Sequence, residues 1–242
     1  MEETLEMWRL ALYGVVIFCA NTVQALTGFA GTLLTLPPCI LLFGPDLAKA
    51  VANVAGWLLC AAVTWQNRAY LDGRELARIL GFMLLGMAAG VWLYDHVDAA
   101  FLIPLYGALL IAVALKHLLV HSEKPLRGWA LTAVLPAAGV VHGLFVSGGA
   151  LLVVYLAAVF RDKHRFRANA AAVWTALNPL MMASDYAHGV YTSEFFLLLA
   201  IGAVPLAAAV WAGNRLHERI PQERFRQLTY ALILLSGAML FA

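Results

Sequence analysis

The chain has 242 residues, 63% of them hydrophobic and only 12% charged, with a formal net charge of +2 and a mean hydropathy of +0.81. Soluble domains carry about 25% charged residues, so this composition excludes a water-soluble globular protein. The small net charge points to no partner, and no nucleic acid is expected. Cys19, Cys39 and Cys60 lie in apolar stretches without paired spacing, which predicts reduced core thiols and no disulfide, metal site or cofactor.

The charges fall in short clusters between stretches long enough to cross a bilayer, which takes about 20 apolar residues in a helix. The chain opens acidic, with Glu2, Glu3 and Glu6, where a signal peptide is basic, so the first span is expected to be retained. That span covers residues 7–26 and breaks at Thr27-Gly28-Phe29-Ala30-Gly31. A short apolar piece, 32–43, follows and contains Pro37-Pro38. Gly44-Pro45-Asp46 reads as a turn with Asp46 as N-cap of the next helix. Spans are then expected at 47–66, 76–94 and 99–120, before a polar linker with Lys116, His121, Glu123, Lys124, Pro125 and Arg127. The plan repeats: an apolar stretch at 129–146, a break at Ser147-Gly148-Gly149, a short piece at 150–160, a basic cluster from Arg161 to Arg167, and spans at 168–182, 195–211 and 225–242.

The repetition predicts an internal duplication. Gly31-Thr-Leu-Leu lies 118 positions before Gly149-Ala-Leu-Leu, and the same offset pairs Lys49-Ala50 with Arg167-Ala168. Gly90-Val-Trp-Leu-Tyr-Asp95 resembles Gly213-Asn-Arg-Leu-His-Glu218 at an offset of 123. The expected units are a first transmembrane repeat at 1–120, a linker at 121–128 and a second repeat at 129–242. Lys and Arg gather in cytoplasmic loops. The basic loops are Arg68/Arg74/Arg78, Lys116/Lys124/Arg127, Arg161/Lys163/Arg165/Arg167 and Arg215/Arg219/Arg224/Arg226; the loops at 95–98 and 185–194 have no Lys or Arg. Placing the basic loops inside puts both termini outside and the linker in the cytoplasm. It also inverts the second half relative to the first. The expected fold is therefore all-α, a polytopic bundle of about eight spans made of two inverted repeats, each with a broken or re-entrant helix. Inverted repeats with discontinuous helices characterise secondary transporters, with the substrate where the breaks meet.

The polar residues near the breaks are Asn21, Gln24 and Thr27 with Gly28 and Gly31, and His142 and Ser147 with Gly148 and Gly149; Gln24 matches His142 at the 118 offset. A helix restarting after a break presents orphan N–H donors and partial positive charge, which suits an anion. Gln24, Thr27 and Ser147 would add hydrogen bonds, and His142 a donor or a titratable charge. The competing reading is that the glycines serve close helix packing and that Ser and Thr bond back to their own helices. Asn53, Trp57, Asn169, Trp174 and Asn178 are candidates for the cavity walls, with Asn178-Pro179 expected to unwind its helix. Lys49 and Arg167, at the mouths of equivalent spans, either gather anions or snorkel to headgroups. With no Asp or Glu expected deep in a span, His142 is the titratable candidate for proton coupling.

Two copies of a glycine-rich break leading into an apolar run, Thr27-Gly-Phe-Ala-Gly-Thr-Leu-Leu-Thr-Leu-Pro37 and His142-Gly-Leu-Phe-Val-Ser-Gly-Gly-Ala-Leu-Leu-Val-Val154, together with Gly86-Met-Ala-Ala-Gly90, resemble the TauE/SafE family. That is the sulfite exporter, or toluene-sulfonate uptake permease, family. The first break here has fewer glycines than is usual in the family, and Tyr155 stands near the second copy's usual proline. The resemblance implies a duplicated bundle of about eight spans in a bacterial inner membrane, moving sulfite, sulfonates or related anions. The expected function is a secondary transporter of a small anion, working by alternating access in the lipid bilayer, with the coupling ion (proton or sodium) and any oligomer open. It is not expected to be an enzyme. The alternatives are an intramembrane serine hydrolase using Ser147 with His142 or His188, and a passive anion channel. A nucleophile needs its base within hydrogen-bond reach, and the five-residue separation of His142 and Ser147 suits that poorly on a regular helix.

Overall fold

The structure is a computed structural model that describes residues 2–119, 128–219 and 221, and in the C-terminal segment 227, 230–231, 234–235 and 237–241. The predicted linker residues His121, Glu123, Lys124, Pro125 and Arg127 lie outside the described residues, as do Arg224, Arg226 and much of the span expected at 225–242. Every element among the described residues is helical: α1 (Glu2–Thr27), α2 (Gly31–Phe43), α3 (Pro45–Gln66), a 3-10 turn (Arg68–Tyr70), α4 (Gly73–His96), α5 (Ala99–Leu119), α6 (Trp129–Thr132), α7 (Val134–Phe145), α8 (Gly149–Val159), α9 (Lys163–Ala187) and α10 (Ser193–Arg219). Four of these are long and apolar enough to cross a membrane: Met7–Thr27 of α1, then α3, α4 and α10. α9 is as long, at 25 residues, but carries its polar residues inward. Arg167, Asn169, Asn178 and Asp185 are all buried, which is what a helix in the middle of a bundle requires.

Helix ends follow local chemistry. Gly44, at φ 83°, is the N-cap of α3 and Pro45 follows at its first position, where the missing N–H costs nothing. Asp46 is therefore not the cap; its carboxylate accepts from Tyr94 Oη at 2.6 Å. Asp72 caps α4 and Asp162 caps α9. The amides of Arg165 and His164 hold the Asp162 carboxyl below the usual carboxylate range. The stretch expected as one span at 129–146 is divided at Ala133 into α6 and α7, and Pro136 falls in the first turn of α7, where proline is tolerated.

The expected unwinding at Asn178-Pro179 does not occur: α9 runs through Pro179 unbroken. Proline removes the bond that Thr175 O would receive four residues on. Trp57 of α3 replaces it, donating Nε1–H to Thr175 O at 3.2 Å.

α3 and α9 cross at the centre. α4 packs along α7, and α1 along α10. The α4–α7 contact is backbone on backbone. A Cβ on Gly86 would collide with Pro136 O, on Gly90 with Val140 O, on Gly139 with Met83 O and on Gly143 with Met87 O. Gly213 of α10 meets Thr22 O and Ala25 of α1 in the same way. Close packing on glycine, expected from sequence only at the breaks, is found at these crossings as well. α5 packs on the C-terminal residues through Gly107 and Gly237.

The loops sort into two ends. Arg165 pairs with Asp72 at 3.0 Å, Asn169 binds Tyr70 O and the Asp72 amide, and Asn214 donates to Gln66 Oε1 at 3.2 Å. The loops bearing Arg68, Arg161 and Arg215 therefore share one end. At the other, Lys49 meets Asp185 at 3.7 Å and His188 meets Asp95 at 3.7 Å.

Candidate functional site

The two broken helices come together. α2 has 13 residues and α8 has 11, about 20 and 17 Å long at 1.5 Å per residue. Each exceeds half of a ~30 Å hydrocarbon core, and the starts of the two meet. Phe29 O lies against Gly149, 2.7 Å from where a Cβ would be. The first break turns on Gly28 at φ 85° and the second on Val146 at φ 53°, 118 positions apart. The left-handed region is open to glycine and rarely adopted by a β-branched residue. Sequence reasoning placed the second turn on Ser147-Gly148-Gly149 and missed Val146. Neither restarting helix has a side-chain cap: the N-cap residues are Ala30 and Gly148. Their first N–H groups are the orphan donors that the anion argument requires.

Side chains from α3 and α9 close the space around the breaks. Trp174 Nε1 donates to Gly28 O at 3.0 Å, satisfying a carbonyl that the break frees. The His142 ring stacks on Trp174 with centroids 4.9 Å apart, and neither ring nitrogen has a protein partner. His142, Trp174 and Gly28 thus link one break to the other. Gln24 folds over Gly31 and donates Nε2–H to Cys60 Sγ at 3.0 Å. Asn53 and Asn178 exchange bonds, each Nδ2 donating to the other's carbonyl at 3.4 Å. The side-chain oxygens of Gln24, Asn53 and Asn178 are buried without a protein partner.

These groups converge on Gly56, in the middle of α3. A Cβ there would lie 3.5 Å from Gln24 Nε2 and 3.9 Å from both Asn178 Nδ2 and Thr32 Oγ1. Two amide donors and a hydroxyl from α1, α9 and α2 thus surround a position where α3 supplies only hydrogen. Gly56 and Thr32 were not singled out from sequence, and Cys60 was read only as a core thiol. The available signal was a lone glycine in an apolar helix one residue before Trp57.

Other predicted site residues are engaged elsewhere. Asn21 donates to Ile17 O at 2.9 Å and Thr27 to Val23 O at 2.7 Å, both back-bonding within α1. Ser147 Oγ pairs with Tyr106 Oη at 2.6 Å, and Gly148 packs against Ala138 O and His142. His188 lies at the far end of α9 against Asp95, so neither histidine bonds Ser147. Lys49 is not a free collecting charge: besides Asp185 it sits 3.5 Å over the Tyr94 ring. Asp185, read from sequence as a loop residue, is a buried carboxylate on α9. Arg167 is also buried and donates to Asn214 Oδ1. Among the described residues no group of three His, Cys, Asp or Glu side chains is arranged to hold a metal.

The family described as sulfite exporter TauE/SafE matches residues 13–240. A curated relative, the probable inner membrane transporter protein TsaS of Comamonas testosteroni, is 27% identical over 175 residues, covering 69% of this chain and 71% of that protein. No solved structure matches the chain at a significant level.

Proposed function

The chain belongs to the sulfite exporter TauE/SafE family, and on that premise we propose that this membrane transporter carries a small anion of the sulfite or sulfonate class across a bacterial inner membrane by alternating access. The relative's description as a probable inner membrane transporter supports the location. The observation that carries the reading is the cradle at Gly56, where Gln24 Nε2, Asn178 Nδ2 and Thr32 Oγ1 converge beside the breaks. Its donors are neutral. Together with the uncapped starts of α2 and α8 they favour an anion without a fixed countercharge to trap it, as a carrier that must release its cargo needs. Gly31 and Gly149 let the backbone come close, and His142 and Trp174 form the wall that joins the two breaks. Asn21, Thr27, Ser147 and Trp57 hold the frame of the cradle.

The inverted-repeat reading has support of its own. Among the described residues, α1 to α4 and α6 to α10 follow like orders, a break, a short helix and two long ones. The cross-contacts are reciprocal, α1 with α10 and α4 with α7, while α3 meets α9. Rocking one half against the other about the α3–α9 crossing would open the cradle to each side in turn. The hydrolase alternative gains nothing, since Ser147 is bonded to Tyr106 and not to a histidine.

The test is thermal unfolding of the purified chain against sulfite, sulfate, taurine, aryl sulfonates and matched carboxylates. A ligand of the folded state raises the apparent melting temperature with its concentration. Sulfite or a sulfonate is expected to do so in the wild type and to lose the effect in Asn178→Leu, whereas stabilisation by carboxylates alone would contradict the substrate class.

A further inference from the structure

Two buried cations occupy matching places at the two ends of the bundle, and only one is neutralised. Lys49 has Asp185 at 3.7 Å. Arg167, 118 positions later and 5% exposed, bonds through Nη2 to the neutral Asn214 Oδ1 and makes no ion pair with any described carboxylate. Its Nε has no protein partner. A guanidinium stays protonated, and a buried charge is costly unless paired. Lys163, one turn back on α9, adds a further positive charge nearby and donates to His217 O at 3.4 Å, and the His164 ring stands 5.3 Å edge-on to the His217 ring. His217, 9% exposed, lies one turn after Asn214 on α10, so it shares the face that meets Arg167.

The hydrogen bonding at His217 narrows the ligand. Nδ1 contacts Leu26 O at 2.9 Å. A carbonyl only accepts, so Nδ1 carries the proton. Nε2 is then a lone-pair acceptor in the neutral ring, and it too is buried without a protein partner. The Arg167–Asn214 bond thus brings two buried, unpartnered groups close together, a cationic N–H donor and, one turn along α10, an acceptor.

We propose that Arg167 and His217 form a second anion station at the end of the bundle where α9 begins, selective for a small oxyanion that brings its own acidic hydroxyl, such as hydrogensulfite or dihydrogenphosphate. Arg167 Nε–H takes the anionic oxygen, and the ligand's hydroxyl donates to His217 Nε2. Asn214, fixed by its bond to Gln66 at the end of α3, holds the guanidinium in place. The station is separate from the Gly56 cradle, and its role as a stop on a transport route rests on the transporter reading above.

Calorimetric titration of the full chain in nanodiscs of neutral lipid tests it. The ligands are hydrogensulfite, dihydrogenphosphate and methanesulfonate, which has a similar head and charge but no hydroxyl. The proteins are wild type, Gly56→Ala and the double variants that add Arg167→Lys or His217→Asn to it. Lysine keeps the charge but loses the forked donors, and asparagine keeps a donor for Leu26 O while removing the Nε2 acceptor. In the Gly56→Ala background, where the cradle is filled, the two hydroxyl-bearing anions are expected to bind at this station and to bind about tenfold more weakly or worse once either station substitution is added, the loss of one charge-assisted hydrogen bond. Methanesulfonate is expected to ignore both station substitutions. Thermal unfolding shows that each variant folds, and His217→Asn alone suffices if Arg167→Lys does not. Unchanged binding in both station variants overturns the station. If Gly56→Ala abolishes uptake in that case, the cradle stands without it. Equal loss of methanesulfonate overturns the hydroxyl selectivity. If nanodiscs containing phosphatidylglycerol suppress small-anion binding in the wild type, the occupant is a lipid phosphate and the free-anion station is overturned.

Discussion

A proline inside a helix exposes a carbonyl, and Trp57 shows how one is accommodated in this bundle. Pro179 deprives Thr175 O of its helical donor, and Trp57 Nε1 takes its place across the α3–α9 crossing. Trp57→Phe keeps most of the volume and removes the donor, so it is expected to destabilise the fold by about 1–3 kcal/mol. In a Pro179→Ala background, where the backbone N–H returns, the same change is expected to cost close to nothing. Unfolding of the two singles and the double reads this directly, and equal losses in both backgrounds would remove the tryptophan from that role. The residue scale is also where legibility in the sequence was most uneven. Gln24 and His142 stood out because an amide or an imidazole is expensive in lipid, and both lie at the breaks. Asp185 and Lys49 were read apart, as a loop acid and as a base that gathers anions or snorkels to headgroups, because nothing in a linear sequence reports that residues so distant form a buried pair. Gly56 was missed because a single glycine in an apolar helix looks the same whether it faces lipid, another helix or a polar cradle.

At the scale of elements, the two broken helices were readable because glycine clusters interrupt apolar runs and the pieces that follow are too short for comfortable spans. Val146 escaped because the turn that a glycine usually makes is made here by a β-branched residue, held by the packing around it. The continuity of α9 escaped for the converse reason. Asn-Pro is a fair signal of unwinding in isolation, and the compensating donor comes from another helix. Gly86 and Gly90 were noticed only as part of the family resemblance, yet their four-residue spacing is matched by Gly139 and Gly143 on the facing helix. Each backbone sits where the other's Cβ would be. Gly86→Val is expected to cost about 3 kcal/mol or more and to leave little folded protein. Gly81→Val, on the same helix with nothing within 4 Å of the added Cβ, is expected to be tolerated. Fluorescence-detected size-exclusion chromatography of the two variants distinguishes a crossing that needs glycine from a helix that resists valine anywhere.

At the scale of the whole molecule, the charge pattern was the most informative sequence feature. Among the described residues, the basic loops bearing Arg68, Arg161 and Arg215 gather at one end and the loops at Asp95 and Asp185 at the other, held by the Arg165–Asp72 pair and the His188–Asp95 pair respectively. The cradle lies where elements from the two ends meet, and its donors come from three helices that only the assembled bundle brings together. That convergence underlies the central claim, that a small anion is carried through the space beside Gly56. The most direct measurement is sulfite counterflow into proteoliposomes containing wild type or Gly56→Ala. A methyl at Gly56 makes only ordinary contacts with Gln24, Asn178 and Thr32, and alanine is favoured over glycine within a helix by about 1 kcal/mol. The variant is therefore expected to unfold at or above the wild-type temperature. It is also expected to exchange sulfite at least about tenfold more slowly, about 1.4 kcal/mol of lost recognition. A well-folded Gly56→Ala that exchanges sulfite at the wild-type rate would contradict the claim, because the anion would then not pass through the cradle.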